Sequence, residues 1–169
     1  AKRGADLVIV VAHCGSMYHP IPSPRTQRWL RGLVDAGAAA VIAHHSHIVE
    51  GVEVYHGVPI LYGLGNFLFP YPAAVAPPAC WHVGMIGRLT ISRSGVHRVE
   101  CFLTKQSESE TTYGVSPLSG PSLDQWRRRL SRLSEIAGSP MKVSDFWDYY
   151  CHLNRWLYFT NLFGSAGLV

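Results

Sequence analysis

Apolar positions along the chain come in two kinds of run. Residues 7–12 (LVIVVA) are continuously apolar and rich in β-branched side chains, which predicts a strand buried on both faces. Residues 39–43 (AAVIA) predict a second, shorter buried strand. Between them, residues 26–36 place Trp29, Leu30, Leu33 and Val34 on one helical face, and Gly37 supplies a C-cap. Such a strand–loop–helix–strand unit predicts a parallel pair with a right-handed crossover. Downstream the pattern becomes one of hairpins. Residues 52–55 and 58–62 flank His56-Gly57, and residues 83–92 and 96–105 flank Arg93-Ser94-Gly95. Residues 70–80 hold Pro70, Pro72, Pro77 and Pro78 among alanines and predict a loop or lid. Residues 106–121 read as a polar linker. Ser122 with Gln125 is a capping-box pattern opening a helix to Ala137. A last helix is predicted from Ser144. Its Phe146, Tyr149, Leu153, Trp156, Phe159 and Phe163 recur at helical spacing and are expected to bury.

Composition narrows the class. The chain of 169 residues is 47% hydrophobic and 15% charged, enough for a packed core and against disorder. The net charge of +4 owes much to Arg127, Arg128, Arg129 and Arg132 on one predicted helix. No aromatic stacking motif or zinc-finger spacing accompanies them, so the expectation is a solvated face and no nucleic-acid partner. Cys14, Cys80, Cys101 and Cys151 are far apart and leave the redox compartment open. No apolar run approaches the ~20 residues that span a bilayer, so no membrane span is expected in this chain. The domain reading is residues 1–105 as one unit, 106–121 as linker, and 122–169 as a helical extension packing on it.

The chemistry lies where the two buried strands end. His13 follows the first, and His44-His45-Ser46-His47 follows the second. Loops after strand C-termini share one edge of an open parallel sheet, where ligands bind. Adjacent strands lie ~4.8 Å apart, so these imidazoles can converge. Neutral imidazole suits zinc, manganese, iron or nickel. In an extended loop, His45 and His47 would point the same way. A lone histidine after a strand is usually a hydrogen-bonded loop residue; two neighbouring strand ends both closing on histidine shift the balance towards metal ligation. His19, His56, His82, His97 and His152 lack that setting and read as structural or surface residues, with His19 and His82 in loops able to close over the site.

The stretch ADLVIVVAHCGSMY, followed by the helix and then AAAVIAHHSHIVEGVEVYHGVPILYGLGNFLF, resembles the later motifs of the CapA family of poly-γ-glutamate capsule proteins. That family's pattern is a buried strand ending in His-Trp-Gly-x-Glu-Tyr, a Gln-bearing helix, a Gly-His-His-Pro-His strand end and a Ser-Leu-Gly-Asn-Phe segment. The likeness covers residues 5–69. It implies a metallophosphatase-like fold, part of a four-layer αββα sandwich, carrying two divalent metal ions. Manganese, zinc, iron and calcium are all open. By that resemblance His13 and His45 are ligands of one ion and His47 of the other. His13 and the extra histidine His44 are the candidate catalytic residues, and Gly65 and Asn66 are structural. Cys14 stands where the family has Trp, Met17 where it has Glu, and Ala43 where it has Gly.

The resemblance also implies that the carboxylate and Asn-His ligands lie upstream, in an N-terminal half of the same domain that would be a partner of this chain. Asp6 precedes a strand and Asp35 ends a helix, so neither reads as a bridging ligand; Glu50 and Glu53 read as structural. The functional expectation is a metal-dependent enzyme with a dinuclear site acting on a phosphoryl, polyglutamate or peptide substrate. Two alternatives stand beside it: a peptide epimerase or other peptide-tailoring enzyme, and a non-catalytic scaffold subunit of capsule polymer synthesis.

Overall fold

The parallel pair expected from the two apolar runs is present. A computed structural model describes residues 4–69, 80–106 and 114–163, with residues 156–163 by backbone alone. In it β1 (Ile9–His13) and β2 (Ala40–His44) run in parallel, with His13 opposite His44 at their common end. The crossover is α1 (Pro24–Asp35). The Ser23 hydroxyl accepts from the Thr26 N–H, and Pro24 fills the first turn, where its missing N–H costs nothing. Ala36 is the C-cap, and Gly37 at φ +98° makes the left-handed turn behind it.

β3 (Val52–Tyr55) and β4 (Val58–Leu61) form the first hairpin. His56 and Gly57 both have positive φ, 50° and 80°, as a two-residue turn matched to strand twist requires. β4 adds in parallel to β2, so the sheet runs β1-β2-β4-β3. β5 (Val83–Ser92) and β6 (Gly95–Gln106) form the second hairpin. β7 (Val115–Pro117) pairs with β6, inside the stretch expected to be linker. Residues 107–113 of that stretch, and residues 70–79 of the proline-rich one, lie outside the described residues.

Alternation along the strands sends side chains two ways. Val41, Ala43 and Ile60 meet Leu30 and Val34 of α1 in one core cluster. Ile42 and Leu61 join Val83, Met85 and Leu103 of the second sheet in another. The fold class is α/β as expected, with a helix on one face of a mixed sheet and an antiparallel sheet on the other. β1 departs from expectation. Val10 and Ala12 face the core, but Ile9 and Val11 are 40% and 64% exposed. It is an edge strand, and the second sheet covers β2 and β4, not β1.

Two helices follow. α2 (Gly120–Ala137) begins two residues before the capping-box pattern. Pro121 sits in its first turn and Ser119 is the N-cap without a side-chain bond, so Ser122 caps nothing. α3 (Pro140–Phe163) likewise starts earlier than expected, behind Ser139. Leu133 and Val143 close on Ile21, with Phe146 and Trp147 partly buried beside them. Tyr149 and Leu153 are exposed, so the described part of α3 buries one side only; the side chains of Trp156, Phe159 and Phe163 lie outside the described residues. Among the described residues no helix is long and apolar enough to cross a membrane.

Candidate metal centre

Because β1 and β2 are in register, His13 and His44 project from paired positions on one face. Their rings meet edge-on at 4.8 Å, with Nδ1 of one 3.1 Å from Nδ1 of the other. His45 reaches the opposite nitrogen. Its Nδ1 is 2.9 Å from His13 Nε2, with the rings again 4.8 Å apart. His13 is therefore held at both nitrogens by other imidazoles. His47 stands one ring further off, 6.3 Å from His45.

The loop carrying these rings is bent, not extended as expected. His45 has φ 138° and His47 φ 62°. Both lie in the region that L side chains avoid, at a cost of roughly 1–3 kcal/mol each. Tyr18, whose ring is 6.2 Å from His47, adds a third at φ 63°. Ala43, in place of the family glycine, imposes no such strain: it lies within β2, with its methyl in the core.

His47 is fixed by partners that sequence reasoning missed. Its Nδ1 is 2.9 Å from Asn66 Oδ1, and the Asn66 amide donates to the Trp81 carbonyl at 3.1 Å. The Trp81 ring stacks on His47 at 5.1 Å, and Phe69 meets it edge-on at 5.0 Å. Gln106, buried, donates to the Trp81 carbonyl and accepts from the Phe69 N–H. The Asn66 carbonyl oxygen can only accept, so the His47 proton is at Nδ1 and the lone pair at Nε2. Metal-binding histidines typically carry such an outer partner. The Gly-Asn segment could have pointed to Asn66; nothing in the local sequence marks Trp81 or Gln106.

Glu50 lies behind the loop. It is 1% exposed, and burial pushes its carboxyl up to about 8. Ser46 has one hydroxyl proton, which goes to the Ile48 carbonyl at 2.9 Å. Gly63 makes room for the pair; a Cβ there would stand 2.7 Å from Ser46 Oγ and 2.9 Å from Glu50 Cγ. Burial, and then Glu50, raise the Cys14 thiol, so it stays protonated and is a poor nucleophile. Glu53 is elsewhere, buried against Arg31 and Tyr62.

The other histidines do not join the group. His19 stacks on Trp147 and meets Tyr150 edge-on, its Nδ1 on the Met17 carbonyl. His56 faces Asp35 at the surface, and His97 lies against Ser92. Among the described residues no three His, Cys, Asp or Glu side chains stand where one ion could take them all. The pair His13 and His45 still fits two adjacent corners of a coordination shell. Metal–nitrogen bonds of about 2.0–2.1 Å place neighbouring ligand nitrogens roughly 2.9–3.4 Å apart, and His13 Nε2 and His45 Nδ1 are 2.9 Å apart.

Residues 1–71 match the family described as bacterial capsule synthesis protein PGA_cap. The PGA biosynthesis protein CapA of Bacillus subtilis is 45% identical over 69 residues, which is 41% of this chain and 18% of that protein. The capsule biosynthesis protein CapA of Bacillus anthracis is 44% identical over 68 residues, 40% of this chain and 16% of that protein. A probable polyglutamine synthesis accessory protein of Mycobacterium tuberculosis is 39% identical over 70 residues, 41% of this chain and 18% of its own length. The match thus spans less than a fifth of each relative and includes every histidine of the cluster.

Proposed function

We propose, from the match of residues 1–71 to the bacterial capsule synthesis (CapA) family, that this chain is a member of that family and that its histidine cluster is part of a metal-dependent catalytic centre acting on a capsule-type polymer or peptide. The observation that carries the reading is the 2.9 Å approach of His13 Nε2 and His45 Nδ1 at the common end of two parallel strands. These two would hold one ion, and Nε2 of His47 would serve a second, in a fold we read as part of a four-layer αββα sandwich. The remaining ligands would be water, substrate or groups beyond the described residues. Divalent ions in such a pair activate water and polarise a phosphoryl or acyl oxygen.

The chain's own residues set the proton positions. With the His13 Nε2 lone pair turned to a cation, its proton is at Nδ1 and is donated to His44 Nδ1. The His44 proton is then at Nε2. His44 thereby orients His13 and holds a proton that a leaving group or attacking water could exchange. His47 is oriented in the same manner by Asn66.

A second reading, a non-catalytic scaffold for polymer synthesis, is favoured by one feature: among the described residues no trio of donors surrounds a single point. Elemental analysis after incubation with manganese or zinc separates the two. At most one ion per chain is expected, absent in His45→Ala and retained in His97→Ala. Metal content unchanged by His45→Ala would overturn the metal assignment.

A further inference from the structure

On α2, Gln125, Arg128, Arg129 and Arg132 recur at intervals of three and four, a single stripe along the helix. The stripe borders a groove of about 420 Å³ between α2, the start of α3 and the Pro20-Ile21 turn. Ile21, Leu133, Ile136 and Phe146 line it with apolar surface. The three arginines are exposed, and among the described residues none makes an ion pair. Arg129 lies over the Trp126 ring, 5.3 Å from its centre. Arg127, on the opposite side of the helix, pairs with Asp124 at 3.9 Å, and Lys142 pairs with Glu135. The two acidic groups of α2, Asp124 and Glu135, are thus spent on cations outside the groove.

Three unpaired guanidiniums beside an apolar floor define a ligand by its chemistry. It carries several anionic groups that fork-like guanidiniums can grip, and short aliphatic stems that lie on the floor. Helix positions four apart are about 6 Å apart. Carboxylates on alternate residues of an extended chain are separated by roughly 7 Å. We propose that this groove is a binding site for an extended polycarboxylate chain, a glutamate-type polymer. The preference for carboxylate over phosphate polymers rests on the capsule-polymer reading above; the preference for anions does not. The Pro20-Ile21 wall belongs to the loop that leaves β1 at His13, so a chain held here lies on the same loop as the candidate metal centre.

The test is fluorescence anisotropy of a labelled glutamate decamer titrated with the whole chain in EDTA, so that metal plays no part. Binding is expected, and Arg128→Gln/Arg132→Gln should weaken it by about tenfold or more, while Arg127→Gln changes it less than about twofold. His45→Ala should leave it unchanged, which keeps this test separate from the fate of the metal reading. Circular dichroism checks the fold; if the double variant does not fold, Arg128→Gln against Arg127→Gln decides. The proposal is overturned if the decamer does not bind, if a glutamine decamer or a single-stranded oligonucleotide binds as tightly, or if Arg127→Gln costs as much as the groove substitutions.

Discussion

Two polar clusters are built on the same four-stranded sheet, and they are made differently. In one, Glu53 of β3 accepts from Arg31 of α1 through two guanidinium nitrogens and from the Tyr62 hydroxyl at 2.6 Å. Arg31 also donates to the Gly138 carbonyl at 3.1 Å, and the neighbouring Gln27 donates to that of Ala137 at 2.7 Å, so the cluster ties α1 to the end of α2. Every polar group has a partner of opposite character, and no residue in it has a positive φ. In the other cluster three imidazoles, His13, His44 and His45, bond one another with His47 beside them, no ion pair compensates them among the described residues, and two of the four sit in strained backbone. The first is what a fold does to satisfy a buried charge. The second makes sense as a site held ready for something else.

The comparison breaks first at Arg31. Removing one partner of a buried, hydrogen-bonded ion pair leaves the other charge uncompensated, which costs roughly 3–5 kcal/mol. Arg31→Leu should lose that much in urea denaturation. Arg31→Leu/Glu53→Leu should lose less than the single substitution, because no orphan carboxylate remains. His45→Ala, measured without metal, should cost under about 1 kcal/mol, since its ring is half-buried and makes one hydrogen bond. Equal losses at Arg31 and His45 would erase the distinction.

Glu50 sharpens it next. Burial holds its carboxyl up at about 8 in the fold, against roughly 4.3 for a free glutamate. Between those values the unfolded chain has released the proton that the folded chain keeps. Stability therefore falls as pH rises through this window, is complete below it and levels off above about 8. Glu50→Gln keeps a polar side chain of the same size beside Ser46 and has no charge to bury. It should raise stability by a few kcal/mol at pH 8, roughly 5–10 °C in melting temperature, and leave it nearly unchanged at pH 4. A pH-independent effect would mean that Glu50 is ionised in the fold, held by a cation.

The histidine edge was legible in the sequence because strand ends follow from topology: once residues 7–12 and 39–43 are read as parallel strands, His13 and the His44–His47 run must share an edge. The bend at His45 was not, since no propensity places a positive φ on histidine; tertiary contacts impose it. Trp81 was not legible as a partner of His47 because its approach depends on how the two sheets meet. That junction is a few bonds, such as the Met85 N–H to the Leu64 carbonyl at 2.7 Å. The two-sided burial read for β1 failed for a related reason. An apolar run looks the same whether or not the chain supplies a layer over its second face, and here Val11 is left open. β7 was missed because three residues of strand carry no periodicity.

The smallest expected effect is the one most specific to the comparison. His45 at φ 138° occupies backbone that only glycine enters freely, so His45→Gly removes that strain. The gain is offset in part by the greater freedom of glycine in the unfolded chain, about 0.5–1 kcal/mol, and by loss of the contact to His13 Nε2. The net should be a stabilisation of about 0.5–1 kcal/mol in metal-free buffer, a rise of roughly 1–4 °C in melting temperature. The same substitution should abolish metal retention. Glycine at a strained structural residue would bring stability with no functional loss, whereas at an ordinary residue it would bring neither. A chain that becomes more stable while losing its metal would show that the strained backbone is kept for the site. A His45→Gly variant less stable than the parent would show that the imidazole contacts hold the loop together, and that this cluster is structural like the one around Glu53.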